Sequence, residues 1–400
     1  MASSSSETFK LGYNMPDTYI VTGGSGFVGQ RLVEVLVERG AKKVYSFDIA
    51  PAPKDALQTP RIVYVQGDIS DAAVVSRMFD EARPQCVFHL AAAVGPYHPT
   101  PLYTRVNVEG TRNILSACRQ SGCKKMIYSS SPSTRLTGAD VDGLNEDQLP
   151  DIPMREYLQE YARTKALGEL LIREETARLS SGDKDAVLCC AVAPHQVYGP
   201  RDNLFLPNIL EAAGTGRMRI FGNGLNRICF THVDNYSHGL ILGACALYPG
   251  SPALGKFYIV TDGDTHTNPR GYSLFYESLD EAIVGMGFTS IYSKFRIPYW
   301  LIMFLAILCA FIERLLRIRL KLNPFTVKML TMHRWFGIEN SIRDLHYQPI
   351  LSFKEEWPKT IQWFREHWLP VFLQSHQGLT GLYGNTQRKI DIAASTLTRH

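Results

Sequence analysis

The 400-residue chain has little that marks a compartment, a metal or a nucleic acid. Its formal net charge is only +4, from 42 Lys and Arg against 38 Asp and Glu. No basic surface of the kind nucleic acid requires follows from that balance. None of the eight cysteines forms a C-x-x-C pair, and most sit in apolar runs. This leaves little support for a metal site and reads as buried free thiols in a reducing compartment. The opening Met1-Ala2-Ser3-Ser4-Ser5-Ser6-Glu7 has neither a basic stretch nor an apolar core, and is not read as a secretory signal. There is no internal repeat. The longest uncharged apolar run falls short of the about 20 residues a spanning helix needs.

What is present is ordinary globular composition, 45% hydrophobic and 20% charged, with length for one large or two small domains. Residues 1–16 read as a flexible lead-in and 375–400 as a disordered tail. After the lead-in, apolar runs alternate with helical patterns. Strands are expected at Thr18–Thr22, Lys43–Asp48, Ile62–Gln66, Cys86–Leu90, Lys125–Ser129 and Ala186–Val192. Helices are expected at Phe27–Arg39, Asp71–Glu81, Val106–Ser121 and Glu156–Leu179. Such alternation predicts an α/β fold, a doubly wound parallel sheet over 17–195. Residues 196–296 are richer in turns and read as a smaller substrate-binding region interleaved with the sheet. A C-terminal helical region is expected over 322–374.

Two motifs carry chemistry. Thr22-Gly23-Gly24-Ser25-Gly26-Phe27-Val28-Gly29 falls between the first strand and the first helix. Gly23 permits a tight turn, Gly26 lets backbone amides approach a pyrophosphate, and Gly29 lets helix pack on strand. The fold class is therefore Rossmann-type, and Gly23, Ser25, Gly26, Phe27 and Gly29 are expected to touch a dinucleotide at a helix N-terminus. Asp48 ends the second strand, 19 residues after Gly29. A carboxylate there accepts from ribose hydroxyls and repels a 2′-phosphate, which favours NAD over NADP. Asp68 can accept from the adenine amino group while Ile69 covers the ring. Ala91 and Ala92 are small enough for a cofactor to lie close to a strand end. His89 reads as structural. The second motif, Tyr161-Ala162-Arg163-Thr164-Lys165, puts a tyrosine and a lysine at i and i+4 on one helical face. The Lys165 charge can hold a nicotinamide ribose and lower the Tyr161 pKa from about 10. A tyrosinate can then take the proton of a substrate alcohol. Ser131, in Ser129-Ser130-Ser131, can orient the same oxygen.

Residues 297–312 carry no charge, have Tyr299-Trp300 near their start, and are followed by Arg314, Arg317, Arg319 and Lys321. Aromatics at one end and bases at the other suit a membrane interface, so 297–321 is expected to be a membrane-associated apolar helix. Whether it spans or lies in the interface is open; a buried core helix is the other reading.

These residues resemble the extended short-chain dehydrogenase/reductase family over roughly Thr18 to Trp368. Within it they are most similar to 3β-hydroxysteroid dehydrogenases, and among those to the decarboxylating sterol-4α-carboxylate 3-dehydrogenases. Further segments carry the likeness: Asn107-Val108-Glu109-Gly110-Thr111, Pro194-His195-Gln196-Val197-Tyr198-Gly199-Pro200-Arg201, Gly222-Asn223-Gly224, Tyr258-Ile259-Val260-Thr261-Asp262-Gly263 and Asp344-Leu345-His346-Tyr347-Gln348-Pro349. The resemblance implies NAD as cofactor, Tyr161, Lys165, Ser131 and Asn107 as catalytic residues, and Pro194 and Val197 beside the cofactor. Asn107 would support the catalytic group through a proton relay. The implied reaction is oxidation of a sterol 3β-hydroxyl with loss of CO2, at the cytosolic face of the endoplasmic reticulum, in a chain that can pair as a homodimer. Three departures are present. Ala193 stands where the family usually has arginine, Pro132-Ser133-Thr134-Arg135 replaces a more apolar pattern, and His346 replaces a usual glycine. Arg135 or Arg201 can pair with a substrate carboxylate or serve the surface. A 3β-hydroxysteroid dehydrogenase/isomerase, a nucleotide-sugar or flavonoid enzyme, and a non-catalytic dinucleotide-binding regulator are the alternatives.

Overall fold

Short runs rich in Val, Ile, Tyr and Phe form the strands, because branched and aromatic side chains pack well on a pleated surface. They are β1 Thr18–Thr22, β2 Lys43–Asp48, β3 Ile62–Gln66, β4 Cys86–His89, β5 Lys125–Ser129, β6 Leu188–Pro194 and β7 Phe257–Val260. In the computed structural model these seven make one sheet of order β7-β6-β5-β4-β1-β2-β3. Every pairing in it is parallel. The structure describes residues 16–95, 98–316 and 322–375. The expected lead-in up to residue 15, the tail beyond 375, and Arg317, Arg319 and Lys321 lie outside the described residues.

Parallel strands need crossovers, and helices supply them: α1 Phe27–Glu38, α2 Ala72–Ala82, α3 Thr111–Ser121, α4 Glu160–Ser180 and α5 Val233–Cys245. One core gathers Val75 and Phe79 of α2, Ile114 of α3 and Ile172 of α4. The other gathers Leu32 and Leu36 of α1 with Tyr236 and Leu240 of α5. The sheet is thus covered on both faces, as the alternation predicts. Strand order reverses between β1 and β4, and open α/β sheets bind ligands outside the carboxyl ends at such a point.

Local chemistry explains the boundaries. Asp71 caps α2 by accepting from the Ala73 and Val74 amides at 2.9 and 3.1 Å, so the helix starts one residue later than expected. α4 starts at Glu160 rather than Glu156, with Gln159 still extended. The single helix expected over Val106–Ser121 is instead a π-helical turn, Thr104–Gly110, running into α3. Thr111 Oγ1 donates to the Asn107 carbonyl at 2.8 Å across this widened turn.

The smaller region is assembled from distant pieces. A four-stranded sheet joins Ser273–Leu274, Arg227–Ile228, Arg334–Phe336 and Val141–Leu144. A strand therefore lies inside the stretch 322–374 that reads as purely helical, and another precedes residue 196. Helix α6, Tyr299–Leu316, packs Ile302 and Ala306 against Val327 of α7, Pro324–Thr331. Its other sides are bare: Trp300 is 71% exposed, Phe304 61% and Phe311 65%. It is not a buried core helix. Among the described residues, no helix is long and apolar enough to cross a membrane.

Candidate active site

The glycine turn at the end of β1 closes on itself. The Gly26 amide donates to the Gly23 carbonyl at 3.1 Å, and Gly23 adopts φ +73°. A Cβ on Gly29 would sit 2.0 Å from the Gly23 oxygen, and one on Gly23 would sit 2.8 Å from the Ala91 nitrogen. Only glycine fits either place, and the backbone is left bare where a pyrophosphate would approach the N-terminus of α1. Asp48 stands beside the turn. Its carboxylate accepts from the Ser25 amide at 3.0 Å and the Ala50 amide at 2.9 Å. Phe27 opens α1.

Asp68 accepts from the Ser70 amide at 2.8 Å, and Ile69 is buried with Asn113 Nδ2 donating to its carbonyl at 3.0 Å. The Ala91 amide donates to Thr22 Oγ1 at 3.2 Å, so Ala91 and Ala92 follow β4 past the glycine turn. His89 is tied between Thr22 and Thr111 at 2.7 and 2.9 Å, and burial holds its pKa down at about 3. That is a structural, neutral imidazole. Pro194 ends β6, and Val197 begins the two-residue strand that pairs with Thr231–His232. These residues supply a bare turn, a carboxylate and small side chains at the strand ends, and the set fits a dinucleotide.

On α4, Tyr161 and Lys165 are carried one turn apart. Burial pushes the Tyr161 hydroxyl up to about 12, and the nearby Ser131 hydroxyl, itself bonded to Ser133 Oγ at 2.9 Å, pulls the other way. Burial brings the Lys165 ammonium down to about 7, opposed by the Glu169 carboxylate. Lys165 Nζ donates to the Ser129 carbonyl at 2.5 Å and lies 3.9 Å over the Tyr128 ring. The described downward pull on Tyr161 therefore comes from Ser131, whereas the i,i+4 spacing alone assigns it to Lys165. Asn107 is buried, accepts from the Ala93 amide at 2.8 Å, and donates to the Ala93 carbonyl at 3.3 Å and to Thr164 Oγ1 at 3.1 Å. Among the described residues it has no hydrogen bond to Tyr161 or Lys165. It fastens the loop after β4 to the catalytic helix.

The two arginines considered as carboxylate partners are both engaged. Arg201 makes a two-pronged pair with Glu34 of α1, both contacts 2.8 Å. Arg135 is buried against Glu169, Nη2 to Oε2 at 2.8 Å. Neither offers an open charge to substrate. Thr164, Tyr128 and Glu169 were not singled out from the sequence. Glu169 was within reach, being four residues beyond Lys165 on the same helical face.

A bare glycine turn, a carboxylate at the end of β2, and a half-buried tyrosine near a serine and one turn before a lysine define a nicotinamide-dependent oxidoreductase of the short-chain type. The description "3-beta hydroxysteroid dehydrogenase/isomerase family" matches residues 20–281, and the chain belongs to that NAD-dependent family. It is 30% identical over 350 residues to the mouse protein named sterol-4-alpha-carboxylate 3-dehydrogenase, decarboxylating, covering 86% of this chain and 90% of that one. It is 31% identical over 367 residues to 3beta-hydroxysteroid-dehydrogenase/decarboxylase isoform 1 of Arabidopsis thaliana, covering 86% and 79%. A 2-alkyl-3-oxoalkanoate reductase of Stenotrophomonas maltophilia is 30% identical over 341 residues, covering 84% and 96%. Among solved structures, the epimerase Mth375 of Methanothermobacter thermautotrophicus superposes with a TM-score of 0.64 at 22% identity, over 89% of this chain and 94% of that one. That likeness shows the fold.

Proposed function

We infer that the chain oxidises the 3β-hydroxyl of a sterol 4α-carboxylate, with loss of CO2, at a membrane surface. The observation that carries this is Tyr161 one turn before Lys165 on α4, with the Ser131 hydroxyl near enough to pull its pKa down. NAD on that turn supplies the hydride acceptor. Tyr161 takes the proton of the substrate alcohol, Ser131 holds the oxygen in place, and Lys165 binds the ribose and keeps positive charge near the base. Oxidation at C3 leaves the carboxylate β to a ketone. The C4–carboxyl bond then breaks, CO2 departs, and its electron pair enters the carbonyl as an enolate that picks up a proton. No further catalytic group is required.

The membrane reading rests on α6. A run of exposed apolar residues this long is an interaction surface. A sterol lives in lipid, and a helix lying in the interface brings the site to it. A cavity of about 270 Å³ at the foot of α6 is lined by Tyr299, Lys328 and Gly138, the last being in the stretch that follows Ser131. The endoplasmic reticulum, cytosolic face, is the proposed location, and pairing of two copies through the long helices is the proposed assembly. The division at residues 195, 296 and 321 is kept as the working domain scheme.

The reductase relative supports a second reading with the same chemistry. A 2-alkyl-3-oxoalkanoate and an oxidised sterol 4-carboxylate are both β-keto acids. The site would then act on 3-hydroxy or 3-oxo acids with aliphatic chains.

The test is NADH formation by detergent-solubilised protein given a 4α-carboxysterol, with released CO2 followed in parallel and Tyr161→Phe as control. NADH with CO2, both lost in the variant, is expected. Turnover confined to sterols without the carboxylate would move the substrate to plain 3β-hydroxysteroids. Turnover confined to aliphatic 3-hydroxy acids would establish the second reading.

A further inference from the structure

Serine positions in this site are held by a charge pair that takes no direct part in proton transfer. Arg135 and Glu169 are 4% and 2% exposed. Arg135 donates from Nη1 and Nη2 to the two oxygens of Glu169, at 3.2 and 2.8 Å. The guanidinium also lies 3.6 Å over the Phe257 ring of β7. From this pair two arms reach the residues on either side of the catalytic hydroxyl. Ser130 Oγ donates to Glu169 Oε1 at 2.5 Å. Arg135 Nη1 donates to Thr134 Oγ1 at 2.6 Å, and Thr134 Oγ1 donates on to the Ser131 carbonyl at 2.9 Å. Ser131 is thereby fixed through its neighbour and through its own backbone. The anchor, Glu169, stands on the same helix as Tyr161 and Lys165, two turns beyond the first and one beyond the second.

We propose that Arg135 and Glu169 are positioning residues: they lock the Ser130–Arg135 turn to the catalytic helix and so set the place of Ser131 Oγ against the Tyr161 hydroxyl. The proposal rests on the dehydrogenase reading above. A buried ion pair is weak as a source of stability, since apolar side chains of similar size often serve as well. Its worth here lies in geometry. The pair spans two elements whose relative placement decides whether one hydrogen bond forms, and small misplacements of reacting groups cost rate.

Three variants of the full chain in detergent test this. Ser130→Ala removes one hydrogen bond and no charge. It is expected to lower kcat by about five-fold with KM and NAD affinity unchanged, and to lower Tm less than Glu169→Gln does. Glu169→Gln leaves the Arg135 charge buried and unpaired, and is expected to lower both kcat and Tm. Arg135→Leu/Glu169→Leu removes the whole pair. Its Tm is expected to return to the wild-type value while kcat stays about ten- to a hundred-fold down. Recovery of kcat together with Tm in the double variant, or wild-type turnover by Ser130→Ala, would show that the pair merely fills space and would overturn the proposal. If the double variant does not fold, Ser130→Ala decides. Amide hydrogen exchange over Ser131–Leu136 reads the same lock without turnover. Faster exchange there in Ser130→Ala supports it, and unchanged exchange refutes it. A wild-type chain that oxidises no hydroxy acid or sterol sinks the dehydrogenase reading alone, and the exchange measurement still judges the lock.

Discussion

Helices α4 and α6 invert the usual relation between hydropathy and burial. α4 carries Lys165, Glu169 and Glu175, all 3% exposed or less. α6 is almost wholly apolar, yet Trp300, Phe304, Phe311 and Leu315 are each more than 60% exposed. The difference lies in partners. Every buried charge on α4 has one: Ser129 for Lys165, Arg135 and Ser130 for Glu169, Arg119 and the Val187 amide for Glu175. Among the described residues, most of α6 has little to pack on beyond Val327 and its neighbours. Burial in this chain follows available complements. A helix with charged complements on the fold goes inside, and one without an apolar complement there stays outside.

The comparison can be broken at its strongest point first. Tyr161→Phe should cost about 10²–10⁴-fold in kcat, because general base catalysis is lost while the packing of α4 is kept. An unchanged NAD affinity and Tm, measured alongside, would show that the effect is chemical. A smaller loss would move the base elsewhere. Next is the packed side of α6. Ala306 is fully buried, and Ala306→Asp places an unpaired carboxylate against Val327. That should cost about 3 kcal/mol and be seen as fast amide exchange across Tyr299–Leu316. The open side should behave oppositely. Phe311→Ser should leave Tm unchanged but weaken binding to lipid vesicles by about ten- to a hundred-fold, the worth of one buried aromatic. Equal vesicle binding by both proteins would end the proposed membrane role of α6.

The smallest effect, taken per residue and per pH unit, is that of pH on stability. Burial holds His89 and His195 at about 3 and His266 at about 4. Unfolded histidine titrates near 6.5, so below that pH the unfolded chain binds protons the native one refuses. Stability present above pH 6.5 is therefore lost as the pH falls, by about 1.4 kcal/mol per histidine per unit. Tm measured from pH 7 to pH 5 should drop. A flat profile would mean that these imidazoles reach solvent.

The sheet was legible because each strand is a continuous branched or aromatic run bounded by turns, and the glycine turn because strand and helix flank it. Tyr161 and Lys165 were legible from a four-residue spacing. What escaped depends on contacts far along the chain. Arg201 could not be assigned to Glu34, 167 residues away, nor Arg31 to Asp234, 203 residues away. The direction of Lys165 was hidden too, because the Ser129 carbonyl that receives it lies on another element. The small sheet escaped for a different reason: strands of two to four residues are too short to show a period. The Thr104–Gly110 turn looks α-helical in sequence, since widening changes one bond pattern and not the apolar spacing.

Strand β7 ends the sheet, and a terminal strand ordinarily offers a row of free amides and carbonyls to any other strand. Here the middle of that row is closed. Glu146 Oε1 accepts from the Ile259 amide at 2.5 Å, and Ser341 Oγ donates to the Ile259 carbonyl at 2.5 Å. Two side chains from distant parts of the sequence act as a plug in the backbone ladder. Extension of the sheet across this margin by a second molecule is thereby opposed, and edge-to-edge growth into fibrils is hindered there by two side chains remote in sequence from the strand.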